Sequence, residues 1–271
     1  MRSPWNDVTA LIDADILGLW AHAGRRPRRG SAPDAAVAHE GRPADALSYL
    51  LPGLPKARLP ICNRIHVVAG HPWSHSVVLP WQEGLVSDAA WDAYARMLFA
   101  ARAQRGALRI RIEDERHGRA RLAVAACDEV IAALVEASRA AGWRIASFHD
   151  ALSASLGAHA VELSADDFGF VLRQPRVVTC IFRRSGEWRD VVTLPRVGER
   201  AADWFAAAAL LAGQPPSVDA YEGQFDGTTF SAGDDAGAPP RIAQTDLTAW
   251  PEPTAPTALT EPTTASAEAP A

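Results

Sequence analysis

Residues 108–156 constrain this chain more than any other stretch, because strand and helix periods follow one another there without a break. Leu108, Ile110 and Ile112 alternate with Arg109 and Arg111, the period of two that marks a half-buried strand. The polar run 113–118 ends in Gly118 and reads as a hairpin connection. Residues 121–126 (RLAVAA) then form a short, mostly apolar run, as an interior strand does. Asp128 and Glu129 stand where the first turn of a helix favours negative charge. Val130, Ile131, Leu134 and Val135 give that helix an apolar stripe, and Gly142 stands at its C′ position. Residues 143–148 (WRIASF) are a further strand, and Asp150 can cap a short helix over 151–156. Strand, helix, glycine stop and strand predict a βαβ crossover, with its two strands parallel in one sheet. The chain is therefore α/β, with helices packed on mixed sheets.

The flanks add to this pattern. Residues 8–13 and 16–20 read as an antiparallel strand pair, and 21–42 as a long Arg-, Pro- and Gly-rich connection with a short strand at 36–39. Residues 43–51 suit a helix with Pro43 in its first turn. Residues 64–69 and 76–79 are strands joined by the turn 70–73. In 87–105, Ser87 is an N-cap candidate, and Trp91, Tyr94, Ala95, Leu98 and Phe99 share one helical face before Gly106. Residues 168–172, 176–182 and 188–194 form a three-stranded meander, and 199–212 a helix closed by Gly213. Beyond about residue 220 periodicity vanishes and Pro, Thr, Ala and acidic residues take over, the composition of a disordered tail. The predicted organisation is a first half over 1–150, a reduced second half over 151–222 and a tail over 223–271. No repeat of 20–50 residues is visible in the sequence.

Charge narrows the function classes. The tail carries seven acidic residues and one arginine, a charge of −6, which leaves +1 on residues 1–222 of the whole chain's −5. A near-neutral globular part excludes nucleic-acid binding by bulk charge. Cys62, Cys127 and Cys180 are odd in number and form no CxxC pair. They read as thiols in a reducing compartment. No signal-peptide pattern opens the chain, and its longest apolar run, 204–212, is too short to span a bilayer. A cytoplasmic location is expected.

Several constellations could carry chemistry. Asp13-Ala14-Asp15 follows an apolar strand and resembles the DxD nucleophile and acid pair of haloacid-dehalogenase-like phosphatases, in which Mg²⁺ shields the phosphate. Ile16 and Leu17 stand where that family has a small residue and Thr. Asp166-Asp167 is a candidate second acidic pair, but no lysine lies beyond Lys56. A plain turn between two strands is the simpler reading of Asp13 and Asp15. His71 and His75, with His66 near, have a spacing that binds zinc when a helix carries it, but Pro72 breaks any helix. A hairpin turn with solvated histidines is expected. His149-Asp150 beside Ser153 and Ser155 lacks a nucleophile elbow. Arg25-Arg26-Pro27-Arg28-Arg29 is a dense basic cluster that suits either a solvated loop or an anionic partner. Trp73, Trp81 and Trp91 read as core or rim residues. No catalytic, cofactor-binding or metal-binding residue is assigned on these grounds.

Three stretches together resemble the cytoplasmic actin-like (ribonuclease-H-like) scaffold proteins of type IV pilus and type II secretion machines. They are RIHVVAGHPWSHSVVLPW (64–81), LAVAACDEVIAALVEASRAAGWRIASFHDALSASL (122–156) and FGFVLRQPRVVTCIFRRSGEWRDVVTL (168–194). The resemblance implies two subdomains around a cleft. Nucleotide-binding actin-like proteins carry a D-x-G turn in the first hairpin and a glycine-rich turn at the start of the second half, where backbone N–H groups approach phosphate. Here the first turn is Asp13-Ala14-Asp15 and the second is Arg173-Gln174-Pro175, neither with a glycine. The resemblance therefore implies a non-catalytic scaffold without a cofactor, peripheral to the inner membrane. It would bind an inner-membrane pilus or secretion component, and a homodimer stays open. The alternative is a Mg²⁺-dependent small-molecule phosphatase or kinase using Asp13 and Asp15.

Overall fold

The computed structural model describes residues 6–22, 32–102, 106–113, 117–160, 163–215, 219–226 and 229–230, and among these residues three sheets and five α-helices form the fold. In chain order the first elements are β1 (Asn6–Ile12), β2 (Ile16–His22), β3 (Ala35–Ala38), α1 (Pro43–Leu50), β4 (Asn63–Ala69), β5 (Ser74–Leu79) and α2 (Asp88–Ala101). There follow β6 (Leu108–Ile112), β7 (Arg121–Cys127), α3 (Asp128–Ala140), β8 (Arg144–Asp150) and α4 (Ala151–Ala158). The second half holds β9 (Phe168–Arg173), β10 (Val177–Arg184), β11 (Glu187–Pro195), α5 (Ala201–Leu211), β12 (Ala220–Asp226) and β13 (Thr229–Phe230).

The first sheet has the order β3-β2-β1-β4-β8 and the second the order β11-β10-β9-β12-β13. In each, two antiparallel pairings are followed by a helix and a strand parallel to the first: β4 beside β1, and β12 beside β9. The halves thus repeat one topology that the sequence hides. Leu11 and Val68 of the first sheet share a core with Phe168, Phe170, Leu172, Ile181 and Phe225 of the second. Val8, Ala10 and Ile12 on the opposite face pack with Ala46 and Leu47 of α1 and Leu134 of α3. Trp204 and Phe205 of α5 cover the outer face of the second sheet.

The helix boundaries follow local chemistry. Ser87 caps α2, its hydroxyl accepting from the Ala90 N–H, and Asp150 caps α4 through Ser153. Gly142 (φ 76°) ends α3 in a Schellman motif, with Trp143 N–H on the Ser138 carbonyl and Gly142 N–H on that of Arg139. Helix α2 runs to Ala101 with Arg102 as its C-cap, and residues 103–105 of the expected 87–105 lie outside the described residues.

Three expectations need correction. Strands β7 and β8 do not share a sheet. β7 lies between β5 and β6 in a third, three-stranded sheet, so both its edges are taken, and β8 adds to β4 instead. Residues 70–73 do not close a hairpin, because β4 and β5 belong to different sheets. The strand β12 also straddles residue 223, where a tail was expected to begin. Gly223 disguised it: a Cβ there would lie 2.6 Å from the Phe170 ring, so the strand needs the residue that breaks its pattern.

Candidate functional site

The carboxyl ends of β1, β4 and β8 point toward the second half, so the turns singled out in the sequence meet across the cleft. Asp13 is 1% exposed, and its Oδ1 accepts from the backbone N–H of Asp15 (2.6 Å) and of Ile16 (2.7 Å). Its carbonyl takes the Trp73 indole N–H at 2.5 Å and faces the His39 ring at 3.1 Å. The N–H groups that would approach a phosphate are thus held by the turn's own carboxylate. Asp15 reaches the other way: Arg176, just past the second turn, holds it through Nε at 3.0 Å and through Nη2. Gln174, 5% exposed, accepts the His71 backbone N–H at 2.7 Å and donates to Thr179. Gly70 completes the seam, since a Cβ there would lie 2.5 Å from Gln174 Oε1 and 2.7 Å from the Phe225 ring. The two turns are joined to each other by side chains.

The remaining sequence candidates are dispersed or given other tasks. Asp166 and Asp167 serve the β10–β11 turn, through Asp166 O to the Gly186 N–H and Asp167 Oδ1 to the Ser185 N–H. They precede β9, whose other end bears Gln174, so a strand of about 20 Å separates them from the cleft. Among the described residues no second acidic pair stands beside Asp13 and Asp15. His71 and His75 stack edge-on at 5.4 Å and are half-buried, contrary to the expected solvated turn. Burial, aided by the neighbouring His71, pushes the His75 pKa down to about 4. His66 bonds Ser147. Among the described residues no group of three or more His, Cys, Asp or Glu could hold a metal ion. Ser153 gives its N–H to the Asp150 cap, and Ser155 is buried. Cys62 and Cys180 are buried free thiols, and Cys127 is half-buried. Burial raises the Cys180 thiol to about 12. Trp91 lies in the core under the Arg121 guanidinium. Arg25–Arg29 lie outside the described residues.

A further concavity among the described residues was not foreseen. A groove of about 500 Å³ runs between β6 and β8. Among the described residues each of these strands lies at the edge of its sheet, with a single paired neighbour. Val124 of β7, Ile131 of α3, Phe148 of β8 and Leu156 of α4 line its floor. Arg109, Arg111 and Glu113 lie along one rim, and His149 and Asp150 along the other. Arg109 pairs with Asp128 at 2.6 Å, and Glu113 accepts the Trp188 indole N–H at 2.7 Å. Arg111 has no carboxylate partner among the described residues. Burial and the charge of Arg111 hold the His149 pKa below its ordinary value, while burial raises that of Asp150. The exposed Arg109 and Arg111 alternating along β6 were a sequence signal, since charges facing outward from a short strand suit a sheet edge.

Comparison with known proteins fits this architecture. No family model and no curated protein sequence matches the chain. Among solved structures, a Bacteroides thetaiotaomicron protein described as having an actin-like ATPase fold is similar at 6% identity and a TM-score of 0.51, over 79% of each chain. The cytoplasmic domain of EpsL, an inner membrane component of the type II secretion system of Vibrio cholerae, is similar at 9% identity and a TM-score of 0.47, over 81% of this chain and 82% of that one. A PilM–PilN type IV pilus biogenesis complex is similar at 17% identity and a TM-score of 0.46, over 80% and 68%. At these identities the likeness is one of fold, and the fold is actin-like.

Proposed function

We propose that this chain is a non-catalytic scaffold of a type IV pilus or type II secretion-like apparatus, and that it holds an extended cytoplasmic segment of an inner-membrane partner in the groove between β6 and β8. The observation that carries the reading is the joined pair of turns at the cleft. Asp13 takes up the N–H groups of its own turn, Arg176 beside the second turn holds Asp15 of the first, and Gln174 of the second turn holds His71 in the 70–73 connection. Phosphates entering there would meet the carboxylates of Asp13 and Asp15 and would have to displace these contacts. The assignment to pilus or secretion machinery rests on the resemblance of residues 64–81, 122–156 and 168–194.

The groove supplies what peptide docking needs: unpaired backbone on β6 and β8, an apolar floor for alternate side chains, and polar groups on the rim that fix orientation. The test is a photo-crosslinking amino acid in place of His149, exposed on β8 at the groove, compared with one in place of Leu210, exposed on α5. Crosslinking from position 149 alone to the cytoplasmic segment of a pilus or secretion membrane protein, competed by the corresponding synthetic peptide, is the expected result. Equal labelling from both positions, or recovery of no such component, would overturn the assignment.

A further inference from the structure

The end of the first sheet opposite the cleft carries a different kind of surface. Strands β1, β4 and β8 are parallel, so their amino ends, Asn6, Asn63 and Arg144, lie together. The connection from α1 to β4, residues 51–62, closes this end. It reads LPGLPKARLPIC, with two basic residues and no acidic one. Leu59 and Ile61 on it are 63% and 61% exposed, although a turn at Pro60–Cys62 holds them in place. The loop is pinned from beneath: Asn6 Nδ2 donates to the Pro55 carbonyl at 2.6 Å, and the Ala57 N–H donates to Oδ1 of the buried Asn63 at 2.7 Å. A fixed loop that holds two aliphatic side chains in water is working against the hydrophobic effect, and nothing local requires it.

The charges around it have one sign. Lys56, the chain's single lysine, has its ammonium 3.9 Å from where a Cβ on Gly142 would stand, which brings the loop against the α3–β8 turn and near the exposed Arg144. The neighbouring carboxylates are engaged. Asp7 is held by both Nε and Nη2 of Arg64, and Glu136 by Arg139. Lys56, Arg58 and Arg144 have no carboxylate partner among the described residues. The groove between β6 and β8 is lined by other residues, and what this end presents is exposed aliphatic tips and positive charge.

We infer that residues 54–61 are a membrane-contact loop, which inserts Leu59 and Ile61 among the headgroups of an anionic bilayer while Lys56, Arg58 and Arg144 meet lipid phosphates. Exposed aliphatic tips flanked by unpaired cations match an anionic lipid surface in both hydrophobicity and charge. This goes beyond the scaffold reading and does not depend on the groove. It also gives the groove an orientation: β8 runs from this end toward Asp150 and enters the groove at Phe148, so about four extended residues, roughly 13 Å, lead from Arg144 to the groove.

The test is flotation of the full-length chain with vesicles of phosphatidylcholine alone and of phosphatidylcholine with phosphatidylglycerol, at low and high salt. Binding to the anionic vesicles that weakens with salt is expected. Leu59→Ser with Ile61→Ser should lower it by about tenfold. Lys56→Ser and Arg58→Ser should each lower it by about fivefold. Both sets leave the thermal unfolding midpoint unchanged, since all four side chains are exposed. A separate variant replacing Arg25, Arg26, Arg28 and Arg29 with Ser must retain the sensitivity to Leu59 and Ile61. No binding to anionic vesicles, equal binding to both vesicle types, or binding indifferent to Leu59 and Ile61 would each overturn the inference. The photo-crosslinking result at position 149 is unaffected by any of these outcomes.

Discussion

Replacing Asp13 by alanine separates a structural carboxylate from a chemical one. Asp13 is 1% exposed and its Oδ1 accepts two backbone N–H groups, from Asp15 at 2.6 Å and from Ile16 at 2.7 Å. Alanine leaves both donors without this acceptor. A buried donor that loses its partner costs about 1–3 kcal/mol, so Asp13→Ala should lower stability by about 2–5 kcal/mol, a large share of the ~5–15 kcal/mol that holds a domain together. Asp13→Asn keeps an oxygen in the same place and loses only the charge, so it should cost about 1 kcal/mol. The assay is urea unfolding of the purified chain, reading the midpoint at constant slope. An Asp13→Ala chain within about 0.5 kcal/mol of the parent would refute the structural role. So would a Mg²⁺-dependent phosphatase activity in the parent that Asp13→Asn abolishes.

The pH dependence should follow His75. Burial holds its pKa at about 4 against an ordinary 6.5, so the unfolded chain takes up a proton that the fold resists. Its contribution is complete above pH 6.5 and is lost as pH falls toward 4, by about 2–3 kcal/mol. Asp150, raised by burial, acts in the opposite sense, so the check is the flatter pH slope of His75→Asn in denaturant titrations. Gly223→Ala should destabilise by about 1–3 kcal/mol, because its Cβ meets the buried Phe170 ring, and a lowered thermal midpoint is the reading. Ending the chain after residue 230 should leave the midpoint in place. Ending it after residue 222 removes the fully buried Phe225 and should cost about 3–5 kcal/mol.

Most elements were legible because each has a local cause: Ser87 and Asp150 as caps, Gly142 as a stop, and alternation in β6. Partnership between strands was not. Residues 121–148 carry every mark of a βαβ unit, yet whether β8 adds to β7 or to β4 depends on which edge is free, and β5 had already closed that of β7. The strand at 220–226 was hidden by Gly223, which local propensity counts against a strand and which the tertiary contact with Phe170 requires. The turns at 13–15 and 173–175 were identified from their lack of glycine, but their mutual contact through Arg176 joins residues 161 apart in sequence. The groove was invisible for the same reason, since its lining comes from six elements that only the fold brings together.

The central claim is that the cleft is closed by the protein's own side chains and does not hold a nucleotide. Isothermal titration of the full-length chain with ATP, with and without Mg²⁺, tests it most directly. The account predicts no saturable heat at millimolar ATP, in the parent chain and equally in Arg176→Ala, because Asp13 still occupies the N–H groups of the first turn. Saturable ATP binding at micromolar concentration in the parent chain would contradict it.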